Sequence, residues 1–227
     1  MLITKNKKEG MENEIPEGHI KIFKPFGPSI AKGKMPQILI EKLNNYIDKI
    51  IENEKKANEL DFGSKLVGNV TQEFELEKNF SEKVGWLDFL KKGTAAWISF
   101  ATDKRVTNFE LLNTWVVRQF ENEYNPLHWH SGHISGVGYL KAPKSFGETV
   151  QKKSKTKNKN GHLELVHGTR MFLADSCIDF KPEVGDFYLF PNYMMHSVYP
   201  FAGSDEERRS ISFNANIDEK IYDVYRN

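Results

Sequence analysis

The chain has 227 residues, with 32 Lys and Arg against 31 Asp and Glu and a formal charge of +1. That balance exerts no global pull toward nucleic acid or an anionic membrane surface. Hydrophobic residues at 39% and aromatics at 12% suit a packed core and exclude a disordered chain. One cysteine, Cys177, excludes an intramolecular disulfide and an all-cysteine metal site.

Residues 1–18 are mostly charged and read as a loose, flexible segment ahead of one domain over 19–227. They lack the apolar centre of a secretion signal. No run approaches the roughly 20 apolar residues of a membrane span, so the expected setting is a reducing cytoplasm. Ile20, Ile22 and Phe23 suggest a short strand ending at Pro25. From Pro36 to about Lys56, Leu39, Leu43, Tyr46, Ile47, Ile50 and Ile51 recur three and four apart, the spacing of one helix face. A second helix is predicted over 81–92, with Ser81 as its cap and Val84, Leu87 and Leu90 facing inward.

Strand-like runs dominate afterwards, at 95–100, 114–120, 134–140, 162–165, 186–190 and 210–215, separated by Gly, Pro, Asn and Lys. A helical beginning followed by many short strands predicts an α+β fold, a sandwich or small barrel buttressed by helices on one sheet. Lys152, Lys153, Lys155, Lys157 and Lys159 fall within eight residues. The plain reading is a solvated loop; the sharper one is a contact with an acidic partner. The run carries no aromatics, which argues against a base-stacking platform.

Three of the seven histidines form a suggestive set. His128 and His130 lie two apart in Asn125-Pro-Leu-His-Trp-His130, and in a strand both would face one way. His196 follows the apolar run Gly185-Asp-Phe-Tyr-Leu-Phe-Pro191 by five residues. Imidazole suits Fe, Zn, Cu or Ni, so ligand type alone selects no metal. In Arg208-Arg-Ser-Ile-Ser-Phe-Asn214, alternation puts Arg208, Ser210, Ser212 and Asn214 on one face and Arg209, Ile211 and Phe213 on the other. If the polar face lines a cavity, Arg208 is a fork for a carboxylate with Ser210 beside it; if it faces water, Arg208 is merely solvated.

The segments HWHSGHISGVGYLKAP, GDFYLFPNYMMHSVYPF and RRSISFN together resemble the 2-oxoglutarate/Fe(II)-dependent oxygenase superfamily, and within it an oxygenase group common in marine bacteria and phages. The resemblance implies a double-stranded β-helix of the jelly-roll or cupin type. It implies Fe(II) on His128, His130 and His196, and 2-oxoglutarate held through its distal carboxylate by Arg208 and Ser210, with Tyr139 in support. The family's RIS stands here as Arg208-Arg209-Ser210, so Arg209 is a rival for the anchor, and alternation favours Arg208. The wider superfamily has Asp or Glu at the place of His130. Three-histidine iron sites occur in cupin-type dioxygenases, so a 2-oxoglutarate-independent dioxygenase or isomerase is the first rival reading and a non-catalytic barrel the second. The implied reaction is hydroxylation of a small-molecule or peptidyl substrate, with release of succinate and CO2.

Other candidates have plainer readings. Glu148 and Glu164 lack chelating spacing; His133 reads as supporting or exposed, and His19, His162 and His167 as surface residues. Trp129 is expected to point away from its histidine neighbours and pack between sheet and helix. Trp115 and Gln119 are expected to pack in the core or line the pocket, and Cys177 to be a small buried hydrophobe.

Overall fold

Seventeen consecutive residues near the middle of the chain carry a helix that places the architecture. In the computed structural model, which describes residues 15–23, 27–149, 157–172 and 174–225, helix α4 runs over Trp86–Thr102. It swallows the strand expected at 95–100. The β-branched and aromatic residues there favour strand locally, but Leu87, Leu90, Trp97 and Ile98 form one buried helical stripe, and packing overrides propensity. The single helix expected over 81–92 is instead two. α3 (Lys78–Val84) ends and α4 begins at Gly85, whose φ of +90° breaks the helix in a conformation that favours glycine.

The helix expected over 36–56 also divides, into α1 (Gln37–Ile51) and α2 (Glu54–Glu59), with the Asn53 side chain accepting from the Lys56 N–H to cap the second. α1 buries Leu39, Ile40, Leu43, Ile47 and Ile50 along its inner face.

Among the described residues, eleven strands form two antiparallel sheets. The larger has the order β1 (Ile20–Phe23), β2 (Ile30–Lys34), β9 (Asp186–Pro191), β6 (Ile134–Lys141), β11 (Arg208–Ile217), β4 (Phe109–Gln119) and β3 (Gln72–Glu75). The smaller has the order β5 (Asn125–His128), β10 (Met195–Val198), β7 (Leu163–Val166) and β8 (Cys177–Phe180). The two sheets make a jelly roll of the double-stranded β-helix kind, with α1, α3 and α4 against the outer face of the larger sheet.

That outer face holds the main core, where Leu43, Ile47, Trp86, Leu90 and Trp97 meet Phe187, Leu189, Ile211 and Phe213. Trp86 is fully buried, stands edge-on to Phe187 and Phe213, and donates its indole N–H to the Thr114 hydroxyl at 3.0 Å. Burial of such a ring contributes on the order of 2 kcal/mol or more. A second cluster lies between the sheets, where Val137, Tyr139 and Tyr188 face Leu163, Leu165 and Phe180. A short 3-10 turn at Gly63–Lys65 brings Phe62 onto Trp115 and Val117 at the β3 end.

Gly136 in β6 has no room for a side chain. A Cβ there would stand 2.6 Å from the Tyr188 carbonyl oxygen and 2.6 Å from the Phe213 ring. Gly136→Ala is expected to cost about 1–3 kcal/mol, read as a lower melting temperature, because the obstruction is backbone and cannot rotate away.

Lys152, Lys153 and Lys155 of the lysine run lie outside the described residues, as does most of the segment 1–18. Lys159 is not a free loop charge. It pairs with Glu164 at 2.6 Å and Asp179 at 3.5 Å.

Candidate metal centre

Cross-strand register brings the first two histidines together. His128 ends β5 directly opposite His196 in β10, so their Cβ atoms lie on one face, about 5 Å apart. His130 arrives differently. It lies beyond the strand, and the alternation expected for His128-Trp-His130 does not operate there. The loop after β9 holds it instead: the His130 N–H donates to the Asn192 carbonyl at 3.2 Å, and the Asn192 amide donates to the His130 carbonyl at 3.3 Å.

The result is a compact cluster. One nitrogen from each ring can be chosen so that all lie within 4.8 Å of one another. His130 Nε2 and His196 Nε2 are 3.1 Å apart. Two nitrogens about 2.1 Å from a shared ion at a right angle would be separated by about 3 Å. His128 Nδ1 lies 2.7 Å from the Pro126 carbonyl and His196 Nδ1 lies 2.9 Å from the Met194 carbonyl. As donors to these carbonyls the two rings are the tautomer whose Nε2 is free, as a metal ligand requires.

Burial keeps the rings neutral. It lowers the pKa of His128, against the opposing pull of the Pro126 carbonyl. It lowers His130 to about 4, helped by His128. His196, only 5% exposed, is held well below the ordinary range by burial and then by its two neighbours. Three neutral imidazoles can bind a cation near pH 7 without first losing protons.

Arg208 and Arg209 separate by strand alternation. Arg209 points to the helix side, where Asp48 at 2.7 Å and Glu207 at 2.6 Å pair with it and Asn44 accepts at 2.9 Å. Its donors are spoken for. Arg208 points into the cavity that the histidines line, and no ion pair is formed by it among the described residues. Its guanidinium lies 5.0 Å over the Tyr139 ring and its Nη1 is 3.5 Å from Ser210 Oγ, while its buried Nε and the Tyr139 hydroxyl have no hydrogen-bond partner. Burial lowers the Arg208 pKa and raises that of Tyr139, each shift opposed by the other group.

The cavity measures about 120 Å3, and Ser210, Ser212, Val137, Leu163 and Phe190 complete its interior. Trp115 is buried, lines the cavity and touches the His130 ring at 5.4 Å between centroids, so both expectations for it hold. Gln119 is buried outside the lining, donating to the Glu123 and Tyr199 carbonyls.

Four expectations are corrected here. Trp129 is 65% exposed at the cavity mouth, not packed between sheet and helix, because among the described residues no element covers the loop after β5. His162 is buried, held at 2.8 Å by Asp179, which offsets part of the cost of hiding its ring from water. Cys177 is exposed at the start of β8, on the smaller sheet's edge strand. His133 stands apart from the cluster, stacked on Tyr222 and bonded to the Ile217 backbone. Glu164 is engaged by Lys159 and the Tyr199 hydroxyl, and neither it nor Glu148 lines the cavity.

One cavity residue carried no signal in the sequence. Glu73 in β3 is 2% exposed, lines the cavity, and has Oε1 without a hydrogen-bond partner. In QEFELEK it reads as one of several solvated charges. Burial, with Asp61 and Glu123 nearby, raises its pKa to about 7. A carboxyl raised on folding costs stability only where it ionises: nothing below pH 4.5, increasingly up to about pH 7, and fully above. Glu73→Gln is therefore expected to stabilise the protein at pH 8 by on the order of 2 kcal/mol and to leave it unchanged at pH 4, as paired thermal melts would show.

Comparisons with known proteins give one family match and a set of similar folds. Residues 113–214, which include all three histidines, Tyr139, Arg208 and Ser210, match the family described as "Putative 2OG-Fe(II) oxygenase". No curated protein sequence matches the chain. Among solved structures, a prolyl-4-hydroxylase from Pseudomonas putida superposes with a TM-score of 0.54 at 16% identity, over 82% of this chain and 91% of that one. The collagen prolyl hydroxylase of Paramecium Bursaria Chlorella virus-1, solved with 2-oxoglutarate, gives 0.51 at 15% identity over 81% and 94%. HygX from Streptomyces hygroscopicus, with nickel and 2-oxoglutarate bound, gives 0.54 at 12% identity over 85% and 83%. At such identities the superpositions speak for the jelly-roll fold, and the family match speaks for the chemistry. Residues 113–214 thus match the 2-oxoglutarate/Fe(II)-dependent oxygenases, a family of dioxygenases whose cofactors are Fe(II) and 2-oxoglutarate.

Proposed function

We propose that the protein hydroxylates an unidentified substrate, with Fe(II) on His128, His130 and His196 and the distal carboxylate of 2-oxoglutarate on Arg208, Ser210 and Tyr139. The observation that carries this reading is Arg208. A guanidinium buried without an anion costs several kcal/mol, and the cheapest remedy is a carboxylate in the same cavity. The unpartnered Arg208 Nε and Tyr139 hydroxyl are donors such a carboxylate would satisfy. The imidazole set fits a divalent first-row metal.

Iron, 2-oxoglutarate and O2 together supply the oxidant and leave succinate and CO2. The chain's own contribution is placement. The Pro126 and Met194 carbonyls aim two of the imidazoles. Because the three rings bring no negative charge, metal and Arg208 both present positive charge to one dianion. Val137, Leu163, Phe190 and Val198 keep the interior apolar, which strengthens that attraction and excludes water. A peptidyl substrate is the nearest analogy, since two of the structural neighbours are prolyl hydroxylases.

Anaerobic titration of the iron-loaded protein with 2-oxoglutarate tests the reading. A weak visible charge-transfer band that saturates with 2-oxoglutarate, followed by succinate on admitting O2, is the expected result. Metal binding with no band and no succinate would favour the three-histidine rival that needs no keto acid. No metal binding would leave only a barrel without turnover. Among the described residues no helix is long and apolar enough to cross a membrane.

A further inference from the structure

Glu73 has no place in the chemistry proposed above, yet it occupies the same cavity. It pairs with Val117 of β4, which pairs in turn with Ser210 of β11. Two strand spacings, roughly 10 Å, therefore separate its backbone from the residue beside Arg208. The cavity thus has a cationic side and an acidic side. The charges that act on the Glu73 carboxyl are Asp61 and Glu123, both of its own sign. Asp61 accepts from the Gly63 N–H, and Glu123 accepts from Thr71 and the Phe120 N–H. Lys65 also lines the cavity, but its ammonium lies 4.7 Å over the Phe62 ring and 3.9 Å from Glu75. None of them neutralises Glu73. A buried carboxylate with a free oxygen, set among further carboxylates, is a site whose missing partner is a cation. Trp115 and exposed Trp129 line the same cavity and offer aromatic faces of the kind cations favour.

We infer that Glu73 is a specificity residue that receives a positively charged nitrogen of the substrate, a protonated amine or guanidinium, on the cavity side opposite Arg208. This rests on reading the cavity as the place where substrate is held. It assigns the substrate a class, basic rather than acidic or neutral, and gives the acidic side of the cavity a purpose that Fe(II) and 2-oxoglutarate do not.

The test compares a cation with its neutral isostere on the full chain. Nα-acetyl-L-argininamide and Nα-acetyl-L-citrullinamide would be titrated at pH 7.5, with binding followed by the fluorescence of the tryptophans at the cavity. The wild type is expected to bind the arginine compound at least about tenfold more tightly. Glu73→Gln and, as a second neutral variant, Glu73→Leu should bring the two ligands within about twofold of each other. Melting curves taken alongside establish that each variant is folded. Absence of binding or of preference in the wild type, or survival of the preference in both variants, overturns the inference. Iron and 2-oxoglutarate binding are measured separately on the same samples. Their loss with the arginine preference intact would count against the oxygenase reading and not against this one.

Discussion

Replacing His196 with alanine is expected to weaken Fe(II) binding at least about a hundredfold and to bring succinate formation below detection. The residue is 5% exposed, the most buried of the three, shares a 3.1 Å contact with His130 and faces His128 across the sheet. Loss of groups that merely orient a ligand already costs tenfold to a hundredfold in affinity, and removing the ligand itself costs more. His133→Ala is the control. Its ring stacks on Tyr222 and bonds to Ile217, so that variant is expected to keep its metal and lose some stability. Iron titration of the two proteins, with succinate measured in parallel, makes the comparison. Equal iron affinity in wild type and His196→Ala would place the metal elsewhere.

The second large effect is a crossover between adjacent arginines. Arg208→Met is expected to raise the KM for 2-oxoglutarate by about a hundredfold, the worth of a charge-assisted, buried carboxylate contact. It should not lower stability, because a buried charge without an anion disappears with it. Arg209→Met is expected to do the opposite. It takes one partner from Asp48, which keeps Lys141, and from the largely buried Glu207, which keeps Arg118, costing about 1–3 kcal/mol, while the KM stays near the wild-type value. Denaturation curves and steady-state kinetics on both variants test the pair of statements. A KM effect that followed Arg209 instead would reverse the register of the whole strand.

That register shows how far local pattern reaches. In Arg208-Arg-Ser-Ile-Ser-Phe-Asn214 the alternation assigned Ile211 and Phe213 to the packed side, and both lie in the outer core. The same alternation placed Arg208 with Ser210 and Ser212, which share the cavity. Period-2 patterns are short-range consequences of backbone geometry and survive folding. The helix face of α1 was legible for the same reason. Residues 95–100 were not, because strand propensity there is a weak local preference and the helix is stabilised by contacts with β-strands distant in the chain.

His128, His130 and His196 could be named from the chain alone, but the reason they meet could not. Spacing suggested that His128 and His130 share a strand face. In fact His128 reaches His196 through the pairing of β5 with β10, and Asn192 clamps His130 in a loop. Glu73 was silent for a related reason. Its sequence neighbours are charged, and only the turn at Gly63–Lys65 and the Phe62–Trp115–Val117 cluster folding over β3 remove it from water. Residue type and short-range periodicity by themselves determined which side chains have metal-binding and carboxylate-binding chemistry and which strand faces pack. Burial, tautomer and the absence of a counter-ion arise from contacts between segments far apart in the chain, so only the tertiary structure decided which of those groups are left with chemistry to do.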